Sequence, residues 1–309
     1  MSPVPQKAPR DSVRGLVDSL LEGDKRSAGK LISLIEDDEP EAVEALARIY
    51  PHTGRAQVVG FTGPPGVGKS SLINRLVRTF RSHGKTVGVV AVDPTSPYTG
   101  GAVLGDRMAT RGHAGGLALA TFDAVGVLDA MGSDLVFVET VGAGQSEVEI
   151  ASRAHTTVVV EMPLTGDVVQ TMKAGILEIG DVYVVNKVDL GNEDVLVANL
   201  KFQLETRDGW TPPIIRTAAL EGLGIEDLAG AISKHALYLD QSGGRHKRDV
   251  ARARLEILEN VQRLLIHRVS EGSRSGRTFD KLAEDVATRR IDPHAAARKL
   301  LRSGPATES

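Results

Sequence analysis

The sequence predicts an α/β fold, a doubly wound and mostly parallel sheet with helices before and after it. Three observations carry this expectation. Six short apolar runs rich in β-branched residues recur between positions 58 and 216, helix-sized stretches separate them, and amphipathic periodicity fills both flanks. The runs are 58–62, 86–92, 135–139, 157–162, 182–185 and 214–216. Their apolarity is continuous rather than alternating, so they are buried on both faces, as in a parallel sheet covered by helices. No internal repeat is visible.

The flanks divide the chain into three regions: 1–54, 55–240 and 241–309. In the first, Leu16, Val17, Leu20 and Leu21 form one apolar stripe, and Leu31, Ile32, Leu34 and Ile35 form another. A third helix is expected to bury Val43, Leu46, Ala47 and Tyr50 before Pro51 stops it. Residues 241–248 are polar, glycine-bearing and basic, and read as a solvated linker. Beyond them a helix carries Leu255, Leu258, Val261 and Leu265, followed by a helix–turn–helix and a polar tail. Those leucines suit a helix folded back on its own domain or an arm reaching another molecule.

Composition excludes several classes. Among 309 residues, 37 are Lys or Arg and 40 are Asp or Glu, giving a net charge of −3 and no basic footprint for nucleic acid. Cysteine is absent, which removes disulfides, thiolate catalysis and Cys-ligated metals. No apolar run is long enough to span a membrane and residues 1–11 hold no signal-type apolar core, so a cytoplasmic protein is expected. The eight histidines are scattered without metal-ligand spacing.

The strongest motif is Gly63-Pro64-Pro65-Gly66-Val67-Gly68-Lys69-Ser70, of the form G-x-x-x-x-G-K-[ST], with Ser71 beside it. It follows the run 58–62 and opens a helix whose inner side carries Leu72, Ile73, Leu76, Val77 and Phe80. Glycines let backbone N–H groups curl around a polyphosphate, and the helix start adds partial positive charge. In this arrangement Lys69 neutralises the outer phosphates and the Ser70 hydroxyl ligates Mg²⁺. A ligand-free glycine-rich turn is the bland alternative, and the strand–loop–helix context argues against it.

The run 182–185 leads into Asn186-Lys187-Val188-Asp189. After a phosphate loop, N-K-x-D at a strand end reads guanine. The Asp189 carboxylate accepts from both N1–H and the 2-amino group, whereas adenine would leave it unpaired. Asn186 reaches the base edge and pins neighbouring loops, the Lys187 stem covers the ring, and Thr217-Ala218-Ala219 closes over the guanine oxygen. The expected ligands are therefore GTP and GDP with Mg²⁺.

Asp93 and Glu139 end two of the runs, where carboxylates point into the ligand crevice, and both are expected to hold Mg²⁺ through water. The bland alternative for each is a cap on the following turn. Asp106 is a third metal candidate, or a plain loop acid. Glu139-Thr140-Val141-Gly142 has the form of a γ-phosphate-sensing turn, so Lys69, Glu139 and the Gly142 N–H form the catalytic set. The water-orienting glutamine common after this glycine is Ala143 here, with Gln145 further on, which implies slow turnover until a partner completes the site. Arg107 and Arg111 are internal candidates for stabilising transition-state charge.

Taken together, the phosphate loop, Asp93-Pro94-Thr95-Ser96, residues 100–107, Arg111-Gly112-His113, the ETVGAGQSE stretch from Glu139, Thr165-Gly166-Asp167 and Asn186–Asp189 resemble GTPases of the MeaB/ArgK type. These are SIMIBI-class P-loop proteins that include the human methylmalonic aciduria type A protein, and the similarity spans roughly Leu16 to Leu301. The resemblance implies a chaperone of an adenosylcobalamin-dependent acyl-CoA mutase of the methylmalonyl-CoA mutase type. Such a chaperone gates cofactor loading and off-loading, with GTP hydrolysis as the timing step. It also implies homodimerisation through residues 241–309. An older family label, a lysine/arginine/ornithine transport kinase, sits badly with the guanine motif. The stretch after Asp106 is shorter than in relatives, which carry an additional helix and strand before the equivalent of Arg111. Two other functions share the fold class: a guanine-nucleotide-binding module with little hydrolysis, and a metallochaperone GTPase of hydrogenase or urease maturation.

Overall fold

The structure is a computed structural model that describes residues 12–93, 107–111, 117–140, 145–163, 178–204, 206, 208–271 and 273–302. Seven strands form one sheet: β1 (Gln57–Thr62), β2 (Val87–Asp93), β3 (Arg107–Arg111), β4 (Leu135–Thr140), β5 (Thr156–Glu161), β6 (Val182–Asn186) and β7 (Ile214–Thr217). Their order is β3-β2-β4-β1-β5-β6-β7, and every pairing is parallel. The six expected runs are all strands. The seventh, β3, was not anticipated: the stretch after Asp106, read as lacking a strand, itself supplies the sheet edge. A five-residue strand of sequence RMATR has too few apolar residues to announce itself.

Helices cover both faces. Those on the described residues are α1 (Val13–Leu21), α2 (Lys25–Glu36), α3 (Pro40–Ile49), α4 (Lys69–Ser82), α5 (Leu117–Ala130), α6 (Gln145–Arg153), α7 (Glu193–Gln203), α8 (Ile225–Ser242), α9 (Gly244–Glu271), α10 (Ser273–Ala287) and α11 (Pro293–Arg302). Alternate strand residues point to opposite faces. Val58, Val90, Val136 and Val138 pack with α5 and α6, whereas Val59, Phe61, Val89 and Phe137 pack with Leu72, Ile73 and Leu76 of α4 and Leu228 and Ile232 of α8. Phe137 meets Phe61 and Phe80 edge-on, with ring centroids 5.2 and 5.9 Å apart.

The first three helices form a further layer over α5, within the same core. Sandwiched in this way, α5 is apolar nearly all round. Ser12 caps α1 by accepting from Gly15 N at 3.1 Å, and Asp24 caps α2 by accepting from the amides of Arg26 and Ser27. The inner face of α3 differs from expectation. It buries Ala42, Ala45 and Ile49, while Val43 and Tyr50 stand out 62% and 69% exposed and Ala47 is exposed as well. Leu46 is half-buried against the same core, so the inner face of α3 runs through 42, 45, 46 and 49 rather than 43, 46, 47 and 50. Asp129, buried near the end of α5, fastens this layer to the sheet: its carboxylate accepts from Gly54 N at 2.6 Å, Arg55 N at 3.2 Å and Ala56 N at 2.9 Å.

By contact the chain divides into two compact units, Met1–Ala251 and Arg252–Ser309. The expected solvated linker lies in the first unit and is helical, α8 and α9 being separated only by Gly243 at φ 70°. Arg248 forks onto both Asp181 oxygens at 2.7 and 2.8 Å and also donates to His155 O at 2.7 Å. Asp181 further accepts from Thr157 N at 2.8 Å and lies 3.4 Å from His235 Nε2. His155 Nδ1 accepts from Val58 N at 2.9 Å, which leaves its Nε2–H to face Asp249 Oδ1, also at 2.9 Å. Of the basic residues that look like a solvated turn in sequence, Arg245 donates to Arg55 O and Ala56 O and Arg248 to Asp181 and His155 O, while His246 and Lys247 are exposed. In the second unit α10 and α11 pack together, with Asp292 capping α11. Ile257, Leu258, Val261, Leu264, Leu265 and Ile266 of α9 are exposed. Among the described residues no helix is long and apolar enough to cross a membrane.

Two outcomes follow from these buried polar contacts. Asp129→Ala strands three amides and should cost about 2–4 kcal/mol in urea unfolding, with Asp129→Asn intermediate; a loss below about 0.5 kcal/mol would contradict the fastening role. Burial, opposed by Asp181 and reinforced by Arg248, pushes His235 from 6.5 down to about 4. A base neutral in the fold but protonated in the unfolded chain leaves stability intact above pH 6.5 and erodes it as pH falls towards 4. The loss is on the order of 3 kcal/mol in total. Unfolding across a pH series should show that slope in the native protein and a flatter one in His235→Gln.

Candidate functional site

The carboxyl ends of β2, β4, β1, β5 and β6 lie side by side, and the phosphate-loop, guanine-motif and metal candidates within the described part lie at or follow one of these ends or that of β7. Of the two arginine candidates, Arg111 ends β3 beside Asp93, whereas Arg107 starts that strand at the opposite edge. In such sheets the carboxyl edge is the ligand crevice. The loop 63–70 leaves β1 at the centre. Gly63 has φ 136°, and a Cβ there would lie 2.0 Å from Val160 O; Gly68 has φ 96°, and a Cβ there would lie 2.4 Å from Asn186 Nδ2. Both backbone conformation and space therefore demand glycine at these two positions. Val67 plugs the loop into the core, 1% exposed, while Pro65 and Gly66 are exposed.

At the start of α4, Lys69 is buried and its Nζ donates to Gly63 O at 2.6 Å and Pro64 O at 3.0 Å, so the ammonium lies across the loop. Ser70 follows, with its hydroxyl donating to Glu139 Oε1; Ser71 is half-buried behind it. Glu139 itself is 3% exposed at the end of β4. A serine hydroxyl and a buried carboxylate brought together beside a helix start are hard oxygen donors of the kind that suit Mg²⁺. Thr140 donates to Phe61 O at 3.3 Å and ties the β4 end to β1. Register pairs Phe61 with Glu139 and Val92 with Thr140, so the backbone of Asp93 adjoins the same corner. The Asp93 side chain, the whole of Asp106 and Gly142, and the side chains of Arg107 and Arg111 lie outside what the structure describes. Among the described residues no three His, Asp or Glu side chains cluster for a metal.

Asn186 ends β6 fully buried. Its Nδ2 donates to Val67 O at 2.7 Å, and its Oδ1 accepts from Thr217 Oγ1 at 2.9 Å and Ala219 N at 3.2 Å. One side chain thus joins the loop after β1, its own strand and the loop after β7. Lys187 adopts φ 61°, with its Cε 4.0 Å from the space above Gly68, so its stem runs over the glycine loop. Asp189 sits exposed in the short 3₁₀ turn Val188–Leu190. Thr217, Ala218 and Ala219 are buried, and the loop beyond is closed by a bridge between Ala218 and Leu223.

The reading from sequence missed Arg75, on the half-buried side of α4. Its Nε donates to Ala219 O at 2.9 Å, and an Nη donates to Leu220 O. No motif marks this residue; it is one of several arginines on the helix, and only the three-dimensional path of the loop 218–223 singles it out.

Comparison with known proteins gives the family. The family model described as methylmalonyl Co-A mutase-associated GTPase MeaB matches residues 28–274. A protein of Pyrococcus abyssi (strain GE5 / Orsay) named as a GTPase is 42% identical, over 93% of this chain and 95% of its own. GTPase ArgK of Escherichia coli (strain K12) is 31% identical, over 72% and 76%. The mitochondrial methylmalonic aciduria type A homolog of Caenorhabditis elegans is 26% identical, over 94% and 83%. The crystal structure of an LAO/AO transport system kinase matches with a TM-score of 0.70 and 23% identity, over 96% of this chain and 98% of that one, which shows a common P-loop α/β fold. The chain belongs to the MeaB family of methylmalonyl-CoA mutase-associated GTPases.

Proposed function

We propose that this protein binds and slowly hydrolyses GTP, and that it uses that cycle to gate adenosylcobalamin loading of a cobalamin-dependent acyl-CoA mutase. The observation that carries the nucleotide part is the junction at Asn186, which fastens the glycine loop to both segments proposed to read the base. The family supports the client.

In this reading Gly63, Pro64, Pro65, Gly66, Val67, Gly68, Lys69, Ser70 and Ser71 cradle the phosphates. Asp189 accepts from guanine N1–H and the 2-amino group, Lys187 covers the ring, and backbone of 217–219 meets the 6-oxygen. Ser70, Glu139, Asp93 and Asp106 would hold Mg²⁺, which would supply neutralisation of phosphate charge when bound. Lys69 offsets charge as the bond to the γ-phosphoryl group breaks, and the Gly142 N–H donates a hydrogen bond to an oxygen of that group. Water adds to phosphorus, GDP leaves, and one proton is released. With alanine at 143 no side chain orients the water from that position, so turnover is slow alone. The exposed apolar stripe of α9 supports a homodimer arm. The protein works in the cytoplasm, without nucleic acid or membrane.

Single-turnover hydrolysis with and without methylmalonyl-CoA mutase tests the client: acceleration on adding the mutase is expected, and fast turnover alone or no response would contradict it. Two substitutions test the site. Lys69→Ala should weaken GTP binding by about 100-fold. Asp189→Asn should lose GTP and gain xanthosine triphosphate, since the amide donates where xanthine carries a 2-oxygen. Unchanged calorimetric affinities for both would remove the site assignment.

A further inference from the structure

The loop 218–223 is held in an unusual way. Inside it, Glu221 N and Gly222 N both donate to Ala218 O at 3.1 and 2.9 Å, and Ala218 and Leu223 exchange N–H···O bonds at 3.2 Å. From outside, two side chains take hold of its backbone. Asn186 fixes the peptide unit that carries the Ala219 N–H, and Arg75 fixes the next two units through the carbonyls of Ala219 and Leu220. Because each peptide is planar and trans, fixing the C=O of a unit also fixes the direction of its N–H. Three consecutive peptide planes are thereby set by groups that are not part of the loop.

Arg75 belongs to the same helix whose first turn holds Lys69 and Ser70, six residues earlier and about 9 Å away along the axis. A guanidinium can donate in two parallel directions to neighbouring carbonyls, which a lysine ammonium cannot reproduce in the same rigid geometry. The helix start that opens the glycine loop and the loop after β7 are therefore braced by one rigid element. Arg75 is half-buried, so its side chain can be changed without opening the core.

We infer that Arg75 is a specificity-positioning residue: by gripping the Ala219 and Leu220 carbonyls it sets the direction of the Leu220 N–H, which shares its peptide plane with the Ala219 carbonyl, while the flanking amides of Ala219 and Glu221 donate to Asn186 Oδ1 and Ala218 O, so that an acceptor at the 6-position of the purine is favoured over a donor. This inference rests on the guanine reading above. It separates the two ends of base recognition, with Asp189 reading N1–H and the 2-amino group, and Arg75 acting through the loop on the 6-oxygen.

The test measures affinities of GDP, 6-thio-GDP, IDP and ADP for native protein, Arg75→Ala and Arg75→Lys. Sulfur in place of the 6-oxygen is a weaker acceptor but leaves N1–H and the 2-amino group in place, whereas IDP lacks only the 2-amino group. Native protein should prefer GDP over the thio analogue by about ten-fold, the worth of one weakened hydrogen bond. Arg75→Ala should bring that preference to within about two-fold while keeping the preference for GDP over IDP, and Arg75→Lys should fall between. The lysine variant carries the test if the alanine variant does not fold. An equal loss for GDP, 6-thio-GDP and IDP, the signature of a merely structural brace, or an unchanged GDP to 6-thio-GDP ratio would overturn the inference. Native protein that binds GDP no better than ADP would overturn the guanine reading and this inference with it. Native discrimination against ADP that is accompanied by an intact thio ratio in Arg75→Ala would overturn this inference alone.

Discussion

One buried amide side chain holds the site together. Asn186 gives one N–H to Val67 O and takes two hydrogen bonds, from Thr217 and from Ala219, and it does so at the end of an interior strand. A buried carboxamide with partners on both its oxygen and its nitrogen costs nothing in unmet polarity, and it specifies geometry that apolar packing would leave loose. It also explains why position 68 tolerates no side chain, since a Cβ there would collide with its Nδ2. Removing that glycine's freedom or that amide would separate the loop that starts α4 from the segments that follow β6 and β7.

The junction can exist because the sheet delivers its parts to one edge. Parallel strands buried on both faces end together, and the chain leaves each end into a loop. Phe137, Phe61 and Phe80 lock β4, β1 and α4 on one face, while α5 and α6 cover the other. The Ser70–Glu139 contact is a direct product of β1 and β4 being neighbours in register. On the opposite edge of the same sheet, Asp181 gathers Arg248, Thr157 N and His235, so the first turn of α9 is anchored to the strands rather than left in solvent.

How much of this was readable in the sequence depends on whether the signal was local. Six strands were, because burial on both faces writes a continuous apolar run. The strand β3 was not, because an edge strand of five residues with arginine at both ends needs only one apolar face. The inner faces of α1 and α2 largely followed their large residues, with Leu21 left exposed, but α3 is rotated so that Ala42, Ala45 and Ile49 go in and Val43 and Tyr50 stay out, a face that two alanines mark weakly in sequence. Residues 241–248 looked like a linker since the partners of Arg248 lie far away in sequence. Within the site, the glycine loop and the Asn186–Asp189 segment were legible because their chemistry needs fixed spacing. Arg75 was not, since it acts on carbonyls that any sequence would supply.

The central claim is that Asn186 joins two otherwise separate loops, and hydrogen exchange resolved by segment tests it most directly. In Asn186→Ala, amides of residues 66–70 and 217–223 should both exchange faster than in the native protein, by about ten-fold or more, while strands β1 and β4 keep their protection. Faster exchange in only one of the two segments, or in neither, would contradict the account.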